Sequence, residues 1–477
     1  MKILFTHSYF YQFDPKQWAN KTPYPPLGTI WAAAYMRSLG HLVALFDTNL
    51  LASINGLEDR LSTEKPDVLA IYDDGFNYLT KMCLTNMRLA AFEMIKMAKS
   101  QGIKVVVSSS DSTDRYQQYL DAGADAILLG EAEETLREVV TAWEQNESIN
   151  AIVGLALPEK INQRRPVIRN LDMLPQPAWD LVDIDSYKAI WATGKYPFHL
   201  NLATTRGCPY KCNWCAKPIY GNRYNSRSPQ KVVEEIAHVN QLFGATRFWM
   251  CDDIFGLKPG WVQEFNGLLK ENNLKIQYKI QSRADLMLKE NQIKDLAESG
   301  LYEVWIGAES GSQEILDAMD KGTTIEQIKE STQLLQSLGV RVAFFLQFGY
   351  LGETKAHIDK TVSLVKELKP DDIGISVSYP LPGTGFYETV KEQLGQKENW
   401  TDSDELAMMF KGSFNTKFYK TLQRCVHRMF RKQLALQFIK NGFKSNDPLA
   451  MRNLMLLPYN WLLEKYLHTQ MSKMTNR

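Results

Sequence analysis

Three of the six cysteines lie in one short stretch, TTRGCPYKCNWCAKPIY, which runs from Thr204 to Tyr220. They are Cys208, Cys212 and Cys215, in a C-x3-C-x2-C spacing. Thiolates so spaced on one loop can converge on an inorganic centre, because thiolate is the usual ligand of an iron–sulfur cluster. A cubane [4Fe–4S] cluster held by three cysteines keeps one iron without a protein ligand. An open iron can bind a substrate and do chemistry on it, whereas a fully ligated cluster only passes electrons. Trp214, next to the last cysteine, would pack against such a cluster and exclude water, and Gly207 and Pro209 suit a loop that wraps tightly. Two other chemistries compete. Zinc wants a fourth ligand; the nearest histidine, His199, is nine residues upstream, and no second C-x2-C pair exists. A disulfide would leave an odd thiol and suits a secreted chain.

The loop must be carried by a scaffold, and from residue 198 onward strands alternate with helices. FHLNLATT leads into the cysteines, and further strands are expected at 245–253, 275–284, 301–310, 340–349 and 372–380. A helix over 228–244 opens on Ser228 as cap with Pro229 next. Six parallel strands with outer helices make a partial (β/α)6 version of the eight-stranded barrel, whose chemistry sits at the carboxyl ends of the strands. Those ends are Cys251-Asp252-Asp253, Gln281-Ser282-Arg283, the GAESGS run with Glu309 and Ser310, and FGYLGET with Gly349. An arginine at such a position can pair a carboxylate bidentately.

Before the barrel, residues 2–144 alternate in the same way, with strands expected at 2–6, 41–47, 66–73, 103–109 and 124–130. This is the pattern of an α/β doubly wound, Rossmann-like parallel sheet. Ligands of such sheets bind outside the carboxyl ends of the strands. Here those ends carry Asp73-Asp74-Gly75, Ser108-Ser109-Ser110-Asp111 and Gly130-Glu131. Prolines at 158, 166, 175, 177 and 197 mark residues 147–197 as a linker. The chain therefore divides into 1–146, the linker 147–197, a barrel at 198–398 and a helical, basic C-terminal region at 399–477. His7 at the end of the first strand reads as a structural histidine, and Cys83, Cys251 and Cys425 as structural thiols.

The cysteine motif with its aromatic before the third cysteine resembles the radical S-adenosylmethionine (SAM) superfamily, and the later motifs follow in that superfamily's order. The resemblance implies a [4Fe–4S] cluster on Cys208, Cys212 and Cys215, with SAM chelated at the open iron. It assigns Asp252, Asp253, Arg283, Glu309, Ser310 and Gly349, with Trp214, to SAM; Leu351 stands where the family's G-x-P-G-E-T has proline. The first domain resembles the cobalamin-binding domain found in front of such barrels. The resemblance rests on Pro25-Pro26-Leu27-Gly28, the Gly40-His41 step and LLGEAEETL at 128–136. It implies cobalamin contacts at Pro26, Leu27, Gly28, Ser108, Ser109, Ser110, Gly130 and Glu131. The D-x-H-x-x-G signature of other cobalamin proteins is absent, and serines replace the glycine-rich turn after the fourth strand. A Rossmann-like domain that shapes the substrate site without a cofactor is the alternative.

The implied activity is SAM cleavage to a 5′-deoxyadenosyl radical that functionalises an unactivated carbon, by methyl transfer from cobalamin or by oxidative cyclisation without it. The implied partners are a small-molecule or lipid-like substrate and an electron donor such as a flavodoxin or ferredoxin. A methylthiotransferase would need three more cysteines in the first domain, which has Cys83 alone. A non-enzymatic redox or cobalamin sensor predicts no SAM cleavage.

Composition adds limits. The 477 residues carry a formal net charge of +1, so the whole chain is no evident nucleic-acid binder. No apolar run reaches the 18 or so residues of a membrane span. The MKILFTHSYF start reads as a strand rather than a signal peptide, so a cytoplasmic protein is expected. Between 411 and 477 only Asp447 and Glu464 are acidic. Phe414, Phe418, Leu422, Val426, Met429 and Leu434 recur there at helical spacing. The basic remainder is either a solvated face or a site for an anionic substrate or a membrane surface, with PYNWLLEKYL at 458–467 as the segment to lie on it.

Overall fold

A computed structural model describes residues 1–289, 291–394, 399–401, 404, 406–444 and 449–475; Asp447 lies outside the described residues. The chain forms two compact units. The first comprises Met1–Tyr210 and Ala216–Gln277 with the short segment around Trp400. The second comprises Lys211–Cys215 and the described residues from Tyr278 to Leu394 and from Asp404 on.

The first unit holds a seven-stranded sheet. Its strands are β1 (Lys2–Thr6), β2 (Leu42–Phe46), β3 (Val68–Tyr72), β4 (Lys104–Ser108), β5 (Ala126–Leu128), β6 (Leu155–Leu157) and β7 (Lys160–Ile161), in the order β2-β1-β3-β4-β5-β6-β7. β1 to β5 are parallel, with Ile3 opposite Val68 and Val68 opposite Lys104. Strand β3, VLAIY, is buried at every position, as a parallel strand covered on both faces must be. The five parallel strands fall where the sequence predicts them. The antiparallel pair β6 and β7 lies in the stretch read as linker: three- and two-residue strands are too short to leave a periodic signal. The linker also forms the helix Ile184–Ala192, capped by Asp183.

The same unit carries β8 (Leu200–Leu202) and β11 (Arg247–Met250), paired in parallel, and the small antiparallel pair β9 (Thr205–Arg206) and β10 (Asn225–Ser226). Pro229–Phe243 is a helix whose N-cap Ser228 accepts from the Lys231 N–H and whose C-cap is Gly244 at φ 64°. Its Val232, Ile236 and Val239 are buried at helical spacing.

The second unit carries β12 (Gln277–Ser282), β13 (Leu301–Glu309), β14 (Arg341–Phe348) and β15 (Asp372–Val377), successive parallel neighbours. With β8 and β11 counted, six strands stand where the sequence predicts them. The C-terminal part is helical: Thr416–Lys440, Ala450–Met455 and Leu457–Thr475. Phe418, Leu422, Val426 and Met429 are buried on the first of these, as their spacing predicts.

Candidate active site

The cysteine loop leaves β9 and is held on both sides. Gly207, at φ 78°, lies where an added Cβ would run into the Arg223 carbonyl oxygen, so the position has no room for a side chain. Lys217 Nζ donates to the Tyr210 carbonyl at 2.7 Å. The segment Lys211–Cys215 belongs to the second unit, and Asn213 ties it there. Its N–H donates to the Met319 carbonyl at 3.1 Å, its Nδ2 to the Ala318 carbonyl at 2.7 Å, and its Oδ1 accepts from Tyr350 Oη at 2.9 Å. Cys208 belongs to the first unit, Cys212 and Cys215 to the second. The Cys215 N–H donates to the Cys212 carbonyl at 3.2 Å, which closes a turn between the two. All three thiols are half-buried and none of the six cysteines is in a disulfide.

Within the second unit, Cys212 meets buried cations. Arg283 Nη1 lies 3.9 Å from its sulfur, while Arg283 Nε donates to Asp285 at 2.9 Å and Nη2 to the Gly322 carbonyl at 3.3 Å. Lys321 is buried, donates to Glu309 Oε1 at 2.9 Å, and its Nζ stands 6.0 Å from the centre of the Trp214 ring. Burial alone would lower the Lys321 pKa. The Glu309 carboxylate and the Cys212 sulfur outweigh it and hold the ammonium above its ordinary value. Trp214 Nε1 is buried with no hydrogen-bond partner. An orphaned donor next to Cys215 in sequence and two cations near Cys212 fit an anionic group on the second unit's part of the loop; among the described residues no three cysteine, histidine or acidic side chains stand close enough together to hold a metal ion.

Glu309 ends β13 in the left-handed region at φ 56°, a strained conformation for a non-glycine residue. Ser310 Oγ accepts from the Ser312 N–H at 3.1 Å and lies 3.3 Å from Thr361 Oγ1. Gly349, at φ 76°, donates to Glu353 Oε2 at 2.7 Å. Sequence reading had named Glu309, Arg283 and Gly349 but not Lys321 or Glu353.

In the first unit the acidic pair after β11 is spent on protein groups. Asp252 Oδ1 accepts from the Thr204 and Thr205 N–H groups, each at 2.7 Å, and Oδ2 accepts from Thr204 Oγ1 at 2.6 Å. Burial pushes this carboxyl up to about 6 against the pull of those hydrogen bonds. Asp253 pairs with Lys81 at 2.5 Å. Asp252 thus fixes the strand end that carries the cysteine loop.

The carboxyl edge of the seven-stranded sheet is built around Asp74, whose Oδ1 accepts from the Gly28 N–H at 3.0 Å and the Phe76 N–H at 2.9 Å. A Cβ on Gly28 would stand 3.0 Å from that same oxygen, so the Pro26-Leu27-Gly28 helix start leaves little room for a side chain there. Ser109 and Ser112 form a reciprocal capping box, and Ser108 and Ser110 are buried beside it. Gly130 donates to Thr113 Oγ1 at 3.3 Å. Glu131 accepts from Arg206 Nη1 at 2.6 Å, and Glu133 lies 2.7 Å from Arg206 Nη2. Arg206, 2 % exposed, is packed between the rings of Trp31 at 4.8 Å and Tyr220 at 5.2 Å. Sequence reading passed over it. At the same edge Tyr9 Oη, just past β1, and Asn49 Oδ1, just past β2, are buried without partners, which fits a polar ligand such as a corrin side-chain amide. His7 is satisfied: Nε2 lies 2.9 Å from Asp47, which also accepts from Tyr187 Oη at 2.7 Å.

Against known proteins, the sequence model of the Radical SAM superfamily matches residues 202–365. An uncharacterized methyltransferase of Pyrococcus horikoshii is 27 % identical over 387 residues, covering 79 % of this chain and 81 % of that protein. The anaerobic magnesium-protoporphyrin IX monomethyl ester cyclase of Rubrivivax gelatinosus is 26 % identical over 416 residues, covering 83 % and 70 %. Among solved structures, the cobalamin-dependent SAM radical enzyme OxsB, with aqua-cobalamin and SAM bound, aligns over 98 % of this chain and 72 % of its own with a TM-score of 0.73. At 17 % identity that likeness speaks for the fold. Residues 202–365, with all three cysteines, are a radical SAM domain. The chain is thus an enzyme that carries a radical SAM domain.

Proposed function

We propose that this enzyme is a cobalamin-dependent radical SAM methyltransferase acting on an unactivated carbon of a small-molecule or lipid-like substrate. The observation that carries the reading is the superfamily match over residues 202–365, with Cys212 flanked by Arg283 and by the Lys321–Glu309 pair. Cys208, Cys212 and Cys215 would hold the [4Fe–4S] cluster; residues 198–398 form its barrel and 1–146 the cobalamin-type domain. When bound, the cluster supplies the electron that splits SAM, and cobalamin supplies a methyl carrier. An external donor of the flavodoxin or ferredoxin kind would supply that electron.

The chain's own part is positioning and charge. Arg283 and Lys321 set positive charge beside Cys212, and Lys321 holds the Glu309 carboxylate in place. Gly349 lets backbone approach the nucleoside, and the half-buried Trp214 limits water. Asp252 acts through the Thr204 and Thr205 N–H groups. Glu131 acts through Arg206, two residues from the first cysteine. Gly28, Gly130 and the serines at 108–110 shape the cobalamin edge with Pro26 and Leu27.

Oxidative cyclisation without methyl transfer is the second reading, favoured by the cyclase similarity over 83 % of the chain. Anaerobic purification with cobalamin supplied, followed by iron and corrin analysis and a SAM assay, tests both. Methyl transfer gives about four irons, bound corrin, and both 5′-deoxyadenosine and S-adenosylhomocysteine. Cyclisation gives 5′-deoxyadenosine without S-adenosylhomocysteine. Iron without corrin would withdraw the methyl-transfer reading.

A further inference from the structure

The C-terminal helix Leu457–Thr475 is apolar on two faces. Its inner face is satisfied: Leu467 and Met471 are buried, and buried Asn460 accepts from Arg428 Nη1 at 3.0 Å. Its outer face exposes Tyr459, Trp461, Leu462 and Tyr466, with Leu462 61 % exposed. Of 21 large apolar side chains standing exposed among the described residues, nine lie between Leu436 and Tyr466. Single exposed apolar residues need no explanation, but a concentration of them marks a binding surface.

Cations accompany this face. A pocket of about 310 Å³ opens beside the helices Lys355–Leu368 and Thr416–Lys440, lined by Lys366, Lys369, Lys432 and Lys440 around Met429 and Leu436. No carboxylate lines it. Lys432 pairs with Glu464 at 2.5 Å; the other three lysines make no ion pair among the described residues. Burial and the neighbouring Arg428 and Arg452 together pull the Arg431 pKa down against the opposing carboxylate of Asp372. Lys465 stands 3.7 Å over the Trp461 ring and Arg428 5.0 Å from that of Tyr459.

We propose that this face of the second unit docks reversibly on a bilayer surface carrying anionic phospholipid. The lysine pocket takes a lipid phosphate, and Tyr459, Trp461, Leu462 and Tyr466 enter the boundary between headgroups and acyl chains. Tryptophan and tyrosine are the residues that favour this boundary, and cations beside their rings stay at headgroup level. No described helix is long and apolar enough to cross a membrane, so the contact is that of an interfacial helix. A second copy fits poorly, because it would set one cationic face against another. A soluble anion would leave the exposed rings without a use.

Sedimentation of the full-length chain with sucrose-loaded vesicles, of phosphatidylcholine alone or mixed with phosphatidylglycerol, tests this. The chain should bind the mixed vesicles more tightly, and added salt should weaken binding. Each of Lys366→Gln, Lys369→Gln and Lys440→Gln should weaken it about fivefold, the cost of one lysine near an anionic surface. Brominated lipid should quench wild-type fluorescence more than that of Trp461→Phe, which keeps the ring and the fold. The proposal is overturned if wild-type chain stays in the supernatant or binds both vesicles alike. It is overturned equally if Trp461→Phe leaves quenching unchanged, or if Trp461→Ser dissolves a dimer without altering vesicle binding. Inorganic phosphate bound through the same lysines, with no vesicle binding, also refutes it.

Discussion

Replacing Glu353 by glutamine should flatten a pH dependence of stability that the wild-type chain carries. Glu353 is fully buried; Oε2 accepts the Gly349 N–H and Oε1 has no partner. Burial pushes its carboxyl from 4.5 up to about 8, with the Gly349 hydrogen bond opposing. The folded value lies above the unfolded one. Its favourable contribution is therefore fully present below about pH 4.5 and is lost as pH rises through about 8. At roughly 1.4 kcal/mol per pKa unit, the loss between pH 6 and pH 9 is about 3 kcal/mol. For a unit of some 200 residues that is roughly a 5–10 °C fall in melting temperature. Glutamine keeps the shape and the acceptor for Gly349 but cannot ionise. Thermal unfolding of both proteins at pH 6, 7.5 and 9 should therefore show the variant gaining on wild type by that amount. Parallel curves from pH 6 to 9 would refute the reasoning, since they would mean that water or local opening solvates Glu353.

Arg206→Met would strand the carboxylates of Glu131 and Glu133 in a buried site and should cost about 3–5 kcal/mol, read as a fall in urea midpoint without a change in slope. Lys321→Met removes the partner of buried Glu309 and the cation near Cys212. SAM cleavage, assayed as 5′-deoxyadenosine, should fall about a hundredfold while iron content holds. An unchanged rate would remove Lys321 from the site. Cys208→Ala, Cys212→Ala and Cys215→Ala should each lose the cluster's absorbance and SAM cleavage after reconstitution; a variant that retained both would not be a ligand variant. Asp252→Ala leaves the Thr204 and Thr205 N–H groups unpaired and should cost about 2–5 kcal/mol, with SAM affinity falling only as far as the loop is displaced.

Much of this architecture was legible because its signals are local. The strands of the first sheet are unbroken apolar runs, and Ser228-Pro229 and Gly244 bound their helix as capping chemistry dictates. The cysteine spacing is itself a local signal, as are Glu309 and Gly349 at strand ends. What stayed hidden depends on pairing across long stretches of chain. Lys321 carries no signal of its own in the sequence until β13 delivers Glu309 to it. Asp252 and Asp253 read as an acidic pair facing a ligand. The fold instead turns Asp252 back onto backbone N–H groups and gives Asp253 to Lys81. The strands β6 and β7 were too short to announce themselves.

Arg206 was the one hidden residue with a usable signal. It lies in an uncharged run, between Thr205 and Gly207, directly ahead of the first cysteine. A charged residue in so apolar a setting is rarely buried unless paired, so its position already called for carboxylates. The acids of LLGEAEETL at 128–136 were equally displaced from a simple role, being read as a ligand edge and as part of a family motif. Matching the orphan cation to the surplus acids would have found the Arg206–Glu131–Glu133 cluster from sequence. The same logic says what the cluster is for. Sharing one guanidinium between two buried carboxylates ties Arg206 to the edge of the first sheet, and Arg206 stands in the stem of the loop carrying Cys208. The charge cluster therefore makes the position of the first cysteine a property of the first sheet's edge. A substitution at Glu131 should accordingly disturb the cluster's spectrum even though Glu131 touches no cysteine.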